Sequence, residues 1–91
     1  MSDPEVRLRE IRAAIDAIDD QLLSLLAART SLALEAGEVK AELGRAILDP
    51  EREAALLKRI AARGAGALTP DDLVALWTVL LTATRRAESQ R

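Results

Sequence analysis

The sequence predicts an all-α fold of three helices, the first very long, assembled as an intertwined homodimer. Three observations carry this. Ala and Leu dominate a chain that is only 1% aromatic, a composition that favours helix over sheet. Apolar residues recur at alternating spacings of four and three through the N-terminal half, which is the period of a helix face. Finally, Pro4, Pro50 and Pro70 each follow a capping residue, so all three prolines sit where helices begin.

The first helix opens at Ser2-Asp3-Pro4-Glu5, where Ser2 or Asp3 can cap and Ser2 with Glu5 has capping-box spacing. Its seam runs Ile11, Ile15, Ile18, Leu22, Leu25, position 29, Leu32, Ala36, Val39 and Leu43, with Gly44 as the natural stop. A helix of about 40 residues is about 60 Å long, whereas a globule of this chain length has a radius of gyration of about 12 Å. Its own chain cannot bury that seam, so a two-fold dimer with the helix packed along its partner is the economical solution.

Asp49-Pro50 begins a second, shorter helix that turns Leu56, Leu57 and Ile60 inward and ends at Arg63-Gly64. Thr69-Pro70-Asp71-Asp72 caps a third, with Leu73, Leu76, Trp77, Leu80 and Leu81 as its apolar face, running to about Glu88. No internal repeat or low-complexity stretch appears, and the 91 residues suffice for one domain, residues 1–91.

The absence of Cys and His removes thiol nucleophiles, zinc fingers, imidazole bases and Ser-His-Asp triads. Net charge is -2 and Trp77 is the single aromatic, so nucleic acid is an unfavourable partner. With no apolar run of about 20 residues and no signal-like N-terminus, the expectation is a cytoplasmic protein that does not engage a membrane.

Polar groups interrupt the apolar faces. Arg29 falls on the first helix's seam, where a buried guanidinium costs several kcal/mol unless an anion meets it. Lys40 follows about 20° around and about 16 Å along, so the two side chains can converge on one compact dicarboxylate. An interhelical salt bridge or a snorkelling side chain accounts for one such Arg, but two cations on one stripe weaken that account. Arg12 lies about 100° off the stripe and, taken alone, reads as a surface charge; in a ligand site it would act across the dimer.

Arg52 opposes the dipole at the start of the second helix and so also wants an anion, whereas Asp49 and Glu53 are equally explained as an N-cap and a dipole-stabilising acid. On the third helix Thr84 and Glu88 continue the apolar stripe. Fraying near the chain end is the alternative there, with Arg85, Arg86 and Arg91 turned to water.

Together, Ile11-Arg12, Ile15-Asp16-x-Ile18-Asp19, Leu22-Leu23-x-Leu25-Leu26-x-x-Arg29, Gly37-x-x-Lys40 and Asp49-Pro50-Glu51-Arg52-Glu53 resemble the all-helical, AroQ-class chorismate mutases from about Leu8 to Glu88. That resemblance implies a three-helix intertwined dimer with two sites, each completed by an arginine of the partner. It implies that Arg29, Arg52 and the partner copy's Arg12 bind the two carboxylates of chorismate. Asp49 and Glu53 would hold its ring hydroxyl region and Lys40 would donate to the ether oxygen. Thr84 and Glu88 match the family's hydroxyl-bearing and Gln or Glu positions, so the catalytic group would be Lys40, Glu88 and Arg29.

The implied reaction, the Claisen rearrangement of chorismate to prephenate in aromatic amino acid biosynthesis, is unimolecular and needs no nucleophile, metal or cofactor. Arginine forks suit carboxylates, and the compact lysine charge suits an oxygen that gains negative charge as its bond breaks. Glu88 departs from the glutamine of many relatives and must be protonated to donate. Rival readings are isochorismate pyruvate lyase or aminodeoxychorismate mutase on the same fold, or a non-catalytic helical dimerisation module. The capped ends and lack of an attached domain lead to the expectation of a free-standing enzyme.

Overall fold

The computed structural model describes residues 3–90, and these form three α-helices with no strand: α1 (Pro4–Glu42), α2 (Pro50–Arg63) and α3 (Pro70–Ser89). Each helix starts and stops for a local reason. Asp3 caps α1, its Oδ1 accepting from the Glu5 N–H at 2.9 Å; Ser2, the other expected cap, lies outside the described residues, as does Arg91. At the far end Arg45 N–H donates to the Lys40 carbonyl at 2.8 Å and Gly44 N–H to Ala41 at 3.1 Å. These two bonds make a Schellman stop, and its left-handed position is filled by Gly44 at φ 68.

Asp49 caps α2 by accepting from the Arg52 N–H, with Pro50 in the first turn, and Gly64 at φ 71 ends it. A full capping box opens α3: Asp72 N–H donates to Thr69 Oγ1 at 3.1 Å and Thr69 N–H to Asp72 Oδ2 at 3.0 Å. The Thr69 N–H, with the Thr69 hydroxyl adding to it, holds the Asp72 carboxyl below its usual value.

The chain divides into two compact units, Met1–Ser31 and Leu32–Arg91. In the first, the apolar seam of α1 stands in solvent: Ile11 is 52% exposed and Ile18 54%, with Ile15 and Leu22 alike. In the second, α2 packs on α3 around a small core of Leu56, Leu73 and Leu81. Leu57, Ile60, Trp77 and Leu80 are half-buried around it. Leu76, also on the apolar face of α3, is 54% exposed. It lies about 60° around α3 from Leu73, beyond the stripe of Leu73, Trp77 and Leu81 that the short α2 covers. No described helix is long and apolar enough to cross a membrane.

Candidate active site

Within the second unit two of the polar residues that interrupt apolar faces, Lys40 and Glu88, come together. Lys40, in the last turn of α1, donates from Nζ to the Ile47 carbonyl at 2.9 Å and sits 3.6 Å from Glu88 Oε2. The lysine is thereby held by the 43–49 loop on one side and by α3 on the other. An ammonium has three donors, so at least one remains for a ligand.

Glu88 is the most constrained of these groups. Its side chain is 6% exposed and Oε2 is buried without a hydrogen-bond partner. An unmet buried oxygen costs about 1–3 kcal/mol, and such groups concentrate where a ligand or proton completes them. The fraying alternative for the end of α3 fails, because the helix continues to Ser89. One turn before Glu88, Thr84 is buried and its hydroxyl donates to the Leu80 carbonyl at 2.7 Å, leaving its lone pairs as acceptors.

Gly37, one turn before Lys40 on the same face of α1, explains how a long glutamate fits. A Cβ there would stand 3.2 Å from Glu88 Oε2 and 3.5 Å from its Cγ. Glycine inside a helix is unfavourable by about 1 kcal/mol relative to alanine, so the bare Cα serves the approach of Glu88. On the catalytic role that the resemblance implies for Glu88, Gly37→Ala is expected to lower kcat/KM about tenfold by displacing it. The gain in melting temperature from better helix propensity should appear only when Glu88→Ala is combined with it, the mark of two coupled positions. An unchanged kcat/KM together with a fully raised Tm in the single variant would overturn this account.

Glu53, in the first turn of α2, is not the solvated acid that local reasoning allowed. It is half-buried, and Arg85 Nη1 lies 2.5 Å from both of its oxygens. The expectation that Arg85 faces water is corrected by the same pair. An antiparallel α2–α3 hairpin sets the start of one helix beside the end of the other, and that topology was the signal for a contact between residues of opposite charge there. Asp49 spends one oxygen on the Arg52 N–H at 3.1 Å, while the Arg52 side chain is exposed.

Arg12 and Arg29 belong to the first unit, where Arg12 is exposed and Arg29 half-buried. Among the described residues no group of acidic side chains could hold a metal ion. A shallow depression of about 210 Å³ lined by Thr78, Val79, Thr82, Ala83 and Arg86 lies on the face of α3 opposite Thr84 and Glu88, and shares none of the candidate residues.

The chain is similar to known proteins along most of its length. Over 54 residues it is 50% identical to the chorismate mutase of Methanocaldococcus jannaschii, a match covering 59% of this chain and 54% of that protein, so it spans about half of that relative. The fold superposes on Form II of a Thermus thermophilus chorismate mutase with a TM-score of 0.90 at 27% identity, covering 93% of this chain and 97% of that one. A Helicobacter pylori chorismate mutase solved in complex with prephenate gives a TM-score of 0.86 at 32% identity, covering 93% and 92%. The family model for chorismate mutase type II matches residues 11–89, which takes in the exposed seam, the Lys40–Glu88 contact and the α2–α3 pair alike, and the chain belongs to that all-helical family.

Proposed function

We propose that this chain is a chorismate mutase that rearranges chorismate to prephenate as a homodimer, with Arg12 of each copy completing the site of the other. The observation that carries the reading is Lys40 Nζ facing the buried, unbonded Glu88 Oε2 at 3.6 Å. A ligand oxygen that accepts from Lys40 and from a protonated Glu88 would satisfy both.

The residues act by binding and orientation. Arg29, Arg52 and the second copy's Arg12 take the two carboxylates, whose simultaneous capture selects the compact conformer in which the reacting carbons meet. Lys40 donates to the ether oxygen as the C–O bond breaks and negative charge grows there, and protonated Glu88 donates to the same atom. Asp49 and Glu53 accept from the ring hydroxyl. No bond to the protein forms, so the residues need only be in place before the reaction begins.

Support for the dimer lies in the seam of α1, where Ile11, Ile15, Ile18 and Leu22 are each half or more exposed. A row of this kind at helical spacing needs a partner helix.

The test is loss of chorismate's ultraviolet absorbance with the purified protein, with prephenate identified as the product and the mass measured in solution by light scattering. Turnover to prephenate by a species of twice the chain mass is expected. Release of pyruvate from isochorismate without chorismate turnover would replace the reading with a lyase, and a monomer with full activity would remove the shared site.

A further inference from the structure

We propose that Arg85 is a positioning residue that gives the site its discrimination for the substrate's ring hydroxyl, by holding the Glu53 carboxylate in its accepting orientation. The inference rests on the chorismate mutase reading and adds a residue to it.

The geometry is a guanidinium held through both of its terminal nitrogens. Arg85 Nη1 lies 2.5 Å from both Glu53 oxygens, and Nη2 lies 3.5 Å from Thr82 Oγ1, one turn back on the guanidinium's own helix. Both partners of the ion pair are largely covered, with side chains 30% and 22% exposed. A free glutamate in a helix's first turn samples several rotamers, whereas this one is fixed from 32 residues away. A single nitrogen approaches both oxygens from one side, so the carboxylate's remaining lone pairs, out of about four in all, stay open to a hydroxyl donor.

Charge supplies the second argument. The proposed substrate carries two carboxylates, and Asp49, Glu53 and Glu88 are all placed in its site. An uncompensated Glu53 would repel such a ligand, and the Arg85 charge offsets that repulsion while leaving the acceptor in place. The alternative is a staple that merely joins α2 to α3. The two roles differ in what they do to substrate choice, because a staple carries no information about a hydroxyl.

The experiment compares kcat/KM for chorismate and for its analogue lacking the ring hydroxyl, in the wild type, Arg85→Gln, Arg85→Lys and the charge swap Arg85→Glu with Glu53→Arg. Melting temperature is followed for each. Arg85→Gln is expected to lose about tenfold to hundredfold on chorismate and to change little on the analogue, so the preference collapses. Arg85→Lys keeps the charge and a one-nitrogen contact and should recover most of the preference. The swap should restore melting temperature without restoring the preference, since it re-forms the pair with the carboxylate on the wrong helix. Equal losses on both substrates in Arg85→Gln, or no loss on either, would overturn the proposal while wild-type turnover of chorismate stands. A wild type that does not turn over chorismate would instead overturn the mutase reading, and this assignment with it.

Discussion

Lys40→Ala is expected to lower kcat on chorismate by about 10²–10³, the usual effect of removing one donor aimed at developing negative charge. Among the described residues Lys40 Nζ is the cation within ion-pair reach of Glu88, and it is positioned by the Ile47 carbonyl at 2.9 Å. The substitution also has a structural consequence, because it leaves the buried Glu88 oxygen without the neighbouring ammonium and the Ile47 carbonyl without its donor. A loss of about 1–3 kcal/mol of stability follows from an unmet buried group of this kind. Melting temperature, followed beside kcat, separates that structural loss from the chemical one. Retention of kcat within about threefold in the single variant would show that Lys40 does not act on the reacting oxygen.

The second large effect concerns the chemistry of position 88. A carboxylate there is an acceptor and would repel an ether oxygen that gains charge, whereas an amide donates to it. Among the described residues, Lys40 Nζ lies 3.6 Å from Glu88 Oε2 and the bare Cα of Gly37 faces the same side chain, both on α1. Glu88→Gln supplies a donor and should keep or exceed the wild-type kcat on chorismate, whereas Glu88→Ala supplies none and should lose about 10²–10³. The measurement is kcat and kcat/KM for both variants beside the wild type, with helix content followed in parallel. A Glu88→Ala variant as active as Glu88→Gln would show that position 88 does not donate to the reacting oxygen.

Helix limits were legible because capping is local chemistry. Asp49 with Pro50, Thr69 with Pro70 and Asp72, and the glycines at 44 and 64 act on backbone groups within a few residues, and the structure uses each of them as the sequence suggests. The exposed seam was legible for a related reason: a face with 3.6-residue periodicity is apparent from spacing alone, and α1 is too long for two short helices to cover. The exposure of Leu76 was not legible, because periodicity fixes which side of a helix is apolar while the width of the covered stripe depends on how α2 lies against α3.

The candidate site divides in the same way. Lys40, Glu88 and Thr84 stood out as polar residues on apolar faces, an intrinsic property of each helix. Arg85, by contrast, read as one of several basic residues near the chain's end, and Glu53 as an acid suited to a helix start. Their pairing depends on the α2–α3 hairpin, which brings together side chains 32 residues apart.

The sequence by itself determined three capped helices, an apolar seam on α1 that its own chain leaves uncovered, and the cations and acids from which a dicarboxylate site could be made. These follow from spacing and from interactions between near neighbours in the chain. Only the tertiary structure decided that Glu88 settles against the bare Cα of Gly37 with one oxygen unbonded, that the Ile47 carbonyl holds Lys40, and that Arg85 clamps Glu53. Each of these depends on distances of about 3 Å between separate elements, and such distances are set by how helices and loops pack rather than by any residue's own preference.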